Sequence, residues 1–392
     1  MINCVQIYEK LNEILPIEKL EKVDVHGNEK FTIQRHVHTL LYAHLSESSS
    51  LREIGSKLKG DIEIQKYTGV ISYSQLSRVN SSREADVFKS VFDEVYAKVV
   101  RSNGLVKIPL EYGKLKALDS TAISLCLKLF PWAVYRKNVG GVKIHTLYDA
   151  LHGCPESIVL TDALTHDKTK MSDFITEPGI TYLFDRAYLD YNEYDRYCSD
   201  GIYFVTRLKK NALIEVLSER AVPNGGNVLS DKTVILGGGT AKMTNPLRLI
   251  EVVDSSNGEI FHIVTNRFDL SAEDIADIYR LRWSIEVFFK WIKQHLKIKH
   301  FYGRTFNAVL IQIYCALILY CLLKIIHVQY CKKFNFLEMV RLIAACPWNT
   351  LDYLIQCLTP TRRTTSKRTK YADSLQGYKE ILIEYELFDC FI

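Results

Sequence analysis

The sequence lacks the paired cysteines of zinc ribbons and disulfide-stabilised domains. Its ten cysteines include no Cys-x-x-Cys pair, so we expect free thiols in a reducing cytoplasm. The first residues, MINCVQIYEKLNEILP, have the apolar spacing of an amphipathic helix. They lack the charged and apolar regions of a secretory signal. Internal repeats are also missing, and the basic stretch at 361–370 is the one low-complexity tract.

A strong overall charge is missing as well. The formal net charge is only +5 over 392 residues, and hydrophobic residues make up 47% of the chain, as in an ordinary globular protein. The basic residues are clustered instead. Between Tyr279 and Arg304 there are seven Lys or Arg and one acid, and residues 361–371 hold five and no acid. Local basic clusters on a nearly neutral chain indicate a polyanionic partner.

One long apolar segment has two possible structures. Residues 308–326, AVLIQIYCALILYCLLKII, are long enough to span a bilayer as a helix. They include Gln312 and Lys324, and basic residues flank both ends. We therefore predict a buried core helix and no membrane partner.

The spacing of apolar residues predicts three regions. Residues 1–105 have helical patterns, including a capping-box sequence at Ser81, and are predicted to form a helical DNA-binding domain. The segment GVISYSQLSRVNSSR can form a helix-turn-helix there, or part of an ordinary bundle. Residues 106–305 are predicted to form a mixed α/β sheet with a β-rich insertion at about 208–260. Residues 306–392 are predicted to form a helical C-terminal region with a basic segment.

Three carboxylates are candidates for one metal site. Asp119 lies within an apolar strand pattern, where a carboxylate is costly to bury unless it is paired or bound to a cation. Asp185 follows an apolar run, at a strand end where open α/β sheets bind ligands. With Glu286 they supply hard oxygen ligands that suit Mg²⁺ or Mn²⁺, and two such ions would support in-line displacement at phosphorus. Asp162 and Asp167 are alternatives to Asp185.

The helix that carries Glu286 is strongly basic. A capping sequence at Ser271 begins it, and at 100° per residue four polar side chains fall within an arc of roughly 60°. They are Tyr279, Arg282, Glu286 and Lys293. We expect the cations of this face, together with Lys290, to contact DNA phosphates. The alternative is a solvated basic face with one ion pair. Trp283 and Trp291 are predicted to be packing residues.

The motifs around these acids resemble a known family. LDST at Asp119, FDRAYLD at Asp185 and Y-x2-R-x3-E-x6-K around Glu286 occur in this order, with a long gap before the last. Together they resemble the DDE transposases of bacterial insertion sequences that have a Tyr-Arg-Glu-Lys signature. The resemblance covers roughly residues 114–305. It implies a ribonuclease-H-like fold with flanking helices and a β-rich insertion.

The resemblance also implies the chemistry. The three acids would bind two Mg²⁺ or Mn²⁺ ions, and the signature residues Tyr279, Arg282 and Lys293 would contact transposon-end DNA. Family members cut double-stranded DNA at terminal inverted repeats and join the freed 3′-hydroxyl to target DNA, in a synaptic complex that suggests a homodimer. The implied location is the bacterial cytoplasm, at the nucleoid.

Three matters stay open at this point. Where relatives form a DNA hairpin, a Trp of the insertion stacks on a flipped base, and this chain has no Trp between Trp132 and Trp283. A Tyr or Phe could take the place of the Trp, because stacking needs only a π face, so the hairpin route stays open. A nuclease of the same fold, and an inactive or co-opted DNA-binding copy, are the alternative functions.

Overall fold

A computed structural model of the chain describes residues 5–18, 31–102, 108–136, 139–222, 226–253, 258–296, 298 and 300–359. The chain folds into two compact units. A helical unit is formed by residues 1–106 and 290–392, and an α/β unit by residues 107–289. The basic stretch at 361–370 lies outside the described residues.

The helical unit is built around one apolar helix. Its described helices are α1 (Ile7–Ile14), α2 (Ile33–Leu45), α3 (Leu51–Gly60), α4 (Ile62–Thr68), α5 (Tyr73–Ser82), α6 (Ala85–Arg101), α11 (Phe306–Ile326), α12 (Phe336–Ala345) and α13 (Leu351–Leu358). Helix α11 is apolar all round and packs against α2, α5 and α6. This arrangement is typical of a core helix.

The prediction of a buried core helix at 308–326 is confirmed. The helical segment Phe306–Cys331 is long and apolar enough to cross a membrane, but 89% of its most apolar stretch is buried inside the protein. Its buried amide is also paired within the fold. Gln312 accepts a hydrogen bond from the Tyr302 amide at 2.8 Å and donates one to the His300 carbonyl at 3.0 Å. Lys324 lies over the Phe336 ring, 4.5 Å from its centroid.

The α/β unit contains a large mixed sheet. Its described strands are β1 (Lys114–Leu125), β2 (Val134–Arg136), β3 (Val139–Asp149), β4 (Cys154–Asp162), β5 (Ile180–Phe184), β6 (Tyr203–Arg207), β7 (Ile214–Arg220), β8 (Val228–Leu236), β9 (Leu247–Val253) and β10 (Ile260–Thr265). Helices α7 (Met171–Phe174), α8 (Tyr191–Ser199) and α9 (Ala272–Arg280) also belong to it, and α10 (Trp283–His295) contains the boundary between the units.

The order of the first strands defines the fold. Strand β3 lies antiparallel between β1 and β4, while β1, β5 and β6 run parallel side by side. Helices α8 and α9 pack against β6. Three antiparallel strands extended by two parallel ones form a ribonuclease-H-like sheet, so the predicted fold class is confirmed.

The β-rich insertion continues the same sheet. Strand β10 pairs antiparallel with β6, and β9, β8 and β7 follow as an antiparallel meander. A buried ion pair between Arg248 on β9 and Asp231 on β8 ties the meander together at 2.6 Å. The same guanidinium donates to the Leu270 carbonyl at 2.6 Å. Arg248 therefore links the insertion to the residue that precedes the cap of α9.

The capping-box prediction at Ser81 is wrong. Ser81 lies in the last turn of α5, where its hydroxyl donates to the Ser77 carbonyl at 3.0 Å. Helix α6 begins at Ala85, and the Ala85 amide donates to the side-chain oxygen of Asn307 at 3.1 Å. A residue far along the chain therefore satisfies this helix end, which no local pattern indicates.

The prediction of one helix from Ser271 through Glu286 is also wrong. Ser271 does cap α9 in a reciprocal capping box with Asp274, but α9 ends at Arg280 and α10 begins at Trp283. Between them, amides bond to carbonyls three residues back rather than four, as Arg282 does to Tyr279 at 3.1 Å. The helical path tightens there. The four signature residues therefore do not share one regular helical face.

Candidate active site

The sheet register brings two of the predicted acids together. Strands β1 and β5 are parallel neighbours, and their pairing reaches Ala117 opposite Leu183. Two residues further along each strand stand Asp119 and Asp185. Adjacent strands are about 4.8 Å apart. Asp185 follows the carboxyl end of β5, where open sheets place their ligands, and Asp119 stands in the middle of β1, just beyond its pairing with β5.

Each aspartate is held by a nearby backbone amide. Asp119 accepts a hydrogen bond from the Ser120 amide at 2.8 Å. Asp185 caps the short 3₁₀ turn at 186–188, where its side chain accepts from the Ala187 amide. These bonds fix the direction of both carboxylates without neutralising their charges.

Glu286 joins the site from the first turn of α10. Its carboxylate pairs with the Arg282 guanidinium, one turn earlier, at 2.6 Å. The Arg282 side chain is 9% exposed, whereas that of Glu286 is 36% exposed. The carboxylate is therefore accessible from solvent while its cationic partner is buried. The tight turn between α9 and α10 places this guanidinium at the start of the helix.

The electrostatics link the three acids. The pKa of Asp119 is raised to about 7, mainly by burial and in addition by the negative charges of Glu286 and Asp185. The Ser120 amide and the Arg282 guanidinium act in the opposite direction and do not cancel the rise. In the free protein the ionised form of Asp119 is therefore disfavoured.

Two buried polar atoms beside the acids have no hydrogen-bond partner within the described part of the chain. They are the Nε of Arg282 and the hydroxyl of Tyr279. Burial raises the pKa of Tyr279, so the hydroxyl keeps its proton and remains a donor. The Arg282 guanidinium lies 5.7 Å from the centre of the Tyr279 ring. Unpaired buried donors are costly, and an acceptor from outside the chain would satisfy both.

The donor set fits a hard divalent cation. Among the described residues, no three His, Cys, Asp or Glu side chains stand in a cluster already arranged to hold a metal ion. However, Asp185 and Glu286 both act electrostatically on Asp119, and the three residues supply only carboxylate oxygens. Such oxygens are the ligands that Mg²⁺ and Mn²⁺ prefer. A bound cation would stabilise the ionised form of Asp119.

The alternatives to Asp185 have other contacts. Asp162 accepts hydrogen bonds from both the amide and the hydroxyl of Thr165, at 2.9 and 2.8 Å. Asp167 accepts from the Ser120 hydroxyl at 2.6 Å and pairs with Lys143 at 3.2 Å. The contact from Asp167 to Ser120 was not predicted from the sequence. The sequence feature that could have indicated this contact is Ser120, which directly follows Asp119 on β1.

The predicted DNA contacts lie on and before α10. Tyr279 and Arg282 precede it, and Lys290 and Lys293 follow Glu286 by one and two turns, where both are half-buried. The packing prediction holds for Trp291, which is 2% exposed and contacts the ring of Tyr320 edge-on and the tilted ring of Phe336. It is wrong for Trp283, which is 58% exposed, because α10 begins there and turns that position outward.

Comparison with known proteins identifies the family. Residues 114–322 match the family model described as a transposase DDE domain. The chain is 38% identical over 216 residues to a putative transposase of Sinorhizobium fredii, a match that covers 54% of this chain and 60% of that protein. It is 30% identical over 320 residues to a probable transposase for the insertion sequence IS5377 of Geobacillus stearothermophilus, covering 79% and 82% respectively.

Two further matches are more distant. A putative transposase for IS4SA of Synechocystis is 26% identical over 292 residues, or 72% of this chain and 80% of that protein. The piggyBac transposase in a synaptic complex with hairpin DNA has a TM-score of 0.44 and 9% identity, with 91% of this chain and 84% of that chain covered. On the family match and the IS5377 relative, the chain belongs to the DDE transposases of bacterial insertion sequences.

Proposed function

We propose that this transposase cuts DNA at the terminal inverted repeats of its insertion sequence and joins the freed 3′-hydroxyl to target DNA. The observation that supports this is the electrostatic influence of two acids on a third. Asp119 and Asp185 each stand two residues beyond the last pairing of β1 with β5, and both Asp185 and Glu286 raise the pKa of Asp119. The sequence resemblance implies that these three acids are the catalytic ones.

The three acids are proposed to hold the divalent ions on which transposases of this family depend. We propose two Mg²⁺ or Mn²⁺ ions, as the family resemblance implies. When bound, such ions activate a water or a 3′-hydroxyl and stabilise the departing oxygen in displacement at phosphorus. The amides of Ser120 and Ala187 keep Asp119 and Asp185 directed, so the carboxylates need little rearrangement.

Arg282 and Tyr279 are proposed to receive a DNA phosphate. Both present a buried donor without a partner in the described structure, and a phosphate offers several acceptor oxygens. A planar guanidinium is suited to such a group. Arg282 would then exchange part of its contact with Glu286 for a contact with DNA, which frees the Glu286 carboxylate. Lys290 and Lys293 would extend the phosphate contacts along α10.

The helical unit is proposed to bind transposon-end DNA. Helix α5 favours this role, because its sequence YSQLSRVNSS contains no acid and residues such as Tyr73 and Arg78 are exposed on it. Gly69, with φ of 63°, makes the turn between α4 and α5, as in helix-turn-helix proteins. We further propose a homodimer on two DNA ends, at the bacterial nucleoid.

A cleavage assay tests the proposal. A labelled duplex that ends in the element's own terminal inverted repeat is incubated with protein and Mg²⁺ or Mn²⁺. We expect nicking at the repeat boundary by the wild type, and none by Asp119→Asn or Glu286→Gln, both of which still bind the duplex. Asp173→Asn is the matched control, since this exposed acid of the same unit pairs with Lys170. Binding without cleavage by the wild type would indicate an inactive or co-opted copy instead.

A further inference from the structure

A second polar cluster adjoins the proposed metal site through Ser120. Asp167 stands at the start of a short 3₁₀ turn after β4. One of its carboxylate oxygens accepts the Ser120 hydroxyl at 2.6 Å, lies 3.2 Å from the Lys143 ammonium and 3.5 Å from Nδ1 of His145. Groups from β1 and β3 thus converge on one oxygen of an acid that the proposed chemistry does not use.

The surroundings hold Asp167 in place. Lys143 also donates to the Thr165 carbonyl at 2.7 Å. His145 is fully buried, and its Nε2 lies 3.0 Å from the Thr161 hydroxyl. That hydroxyl donates its proton to the Asp162 carbonyl at 2.9 Å, so it must accept from His145. The side chains that flank Asp167 are therefore themselves fixed by bonds to the strand and turn around them.

The contact between Asp167 and Ser120 acts on the site through one peptide. The Ser120 amide donates to the Asp119 carboxylate, while the Ser120 hydroxyl donates to Asp167. A single residue is thus bonded by its backbone to the proposed metal ligand and by its side chain to Asp167. Rotation of this peptide would move the amide away from the Asp119 oxygen.

We propose that Asp167 is a positioning residue of the transposase, which fixes Ser120 and through it the Asp119 carboxylate in the direction needed to bind a divalent cation. This inference rests on the proposed metal-binding role of Asp119. Outer partners of this kind typically change metal affinity 10- to 100-fold. Loss of the carboxylate should therefore weaken metal binding and leave DNA binding unchanged.

Binding of Mn²⁺ to the full-length, DNA-free protein tests this, with free Mn²⁺ measured by electron paramagnetic resonance. We expect Asp167→Ala, which removes the acceptor of the Ser120 hydroxyl, and Ser120→Ala each to raise the Kd for Mn²⁺ by about 10-fold. Ser120→Thr, which keeps the hydroxyl, should bind like the wild type, and so should the control Asp173→Ala. The double variant Asp167→Ala/Ser120→Ala should be no weaker than the weaker single variant, because the two residues act through one bond.

Cleavage kinetics give a second readout that a loss of general stability would not produce. In Asp167→Ala the Mn²⁺ concentration for half-maximal cleavage should rise about 10-fold, while the rate at saturating Mn²⁺ is largely regained. If Asp167→Ala fails to fold, the comparison of the Mn²⁺ affinities of Ser120→Ala and Ser120→Thr is sufficient to decide. Wild-type Mn²⁺ affinity in both Asp167→Ala and Ser120→Ala would overturn the inference. No difference between wild type and Asp119→Asn would instead overturn the proposed metal site itself.

Discussion

The substitution Asp231→Asn should destabilise the α/β unit strongly. Asp231 receives two nearly parallel bonds from Arg248, at 2.9 Å from Nε and 2.6 Å from Nη2. Their side chains are only 5% and 3% exposed. The amide of Asn keeps the shape of the side chain but removes its charge. The Arg248 guanidinium would then remain buried without a counter-ion.

The expected magnitude follows from that burial. Removing one partner of a buried ion pair costs about 3–5 kcal/mol, because the other charge stays desolvated. For a domain of the size of residues 107–289, each kcal/mol lowers the melting temperature by about 2–4 °C. We therefore expect the melting transition of this unit to fall by about 10 °C. The damage should also reach α9, since Arg248 bonds the Leu270 carbonyl just before its cap.

Thermal unfolding followed by circular dichroism checks this value. Glu219→Gln is a matched control in the same hairpin, because Glu219 is 72% exposed and lies 3.9 Å from Lys232. That loose pair should contribute less than about 0.5 kcal/mol. A loss below about 1 kcal/mol in Asp231→Asn would refute the reasoning, because it would mean that the guanidinium finds water or another acceptor in the insertion.

Three further experiments test separate parts of the molecule. Arg282→Ala should lower the DNA cleavage rate about 100-fold, as for removal of a preorganised donor, and Arg282→Lys should not restore it in the same assay. In chelator, Asp119→Asn should raise the melting temperature at pH 8 but little at pH 4. The reason is that the pKa of Asp119 is raised to about 7 in the folded protein, so its ionisation lowers the free energy of unfolding progressively from pH 4 to pH 7. The loss is at most about 4 kcal/mol. Equal gains in melting temperature at both pH values would contradict this. Gly55→Ala should stabilise α3 by about 0.4–1 kcal/mol, since nothing lies within 4 Å of the new methyl group. Gly140→Ala should destabilise β3 by about 1–3 kcal/mol, because its methyl would lie 2.9 Å from the Leu125 carbonyl oxygen; urea unfolding compares the two.

The positions of the two aspartates were predictable because each depends on a local pattern. An apolar run with β-branched residues places Asp119 within β1, and a short apolar run ends just before Asp185. Strand identity together with motif order was enough to propose one site. No sequence pattern gives the register of the two strands, in which Ala117 pairs with Leu183. This register brings the two acids to the same level of neighbouring strands.

The features that could not be predicted depend on distant residues or on small changes of helical geometry. Asn307 caps α6 from more than two hundred residues away, and Asp167 reaches Ser120 across β3. Neither contact has a local signature. The break between α9 and α10 involves two residues with ordinary helical character, Leu281 and Arg282. Apolar periodicity alone continues through it, so the sequence indicated one helix and placed Trp283 in the core.

The site of the free protein is internally unbalanced, and this bears on how it would assemble. The carboxylates of Asp119, Asp185 and Glu286 repel one another, yet the cation nearest to them, Arg282, is bonded to Glu286 and still has an unsatisfied Nε. Adding only a divalent cation would leave Arg282 competing for Glu286. Adding only a phosphate would leave the ionised form of Asp119 disfavoured by burial and by its acidic neighbours. Each addition removes the cost that opposes the other, so metal and DNA should bind cooperatively, with each raising the affinity for the other by the same factor.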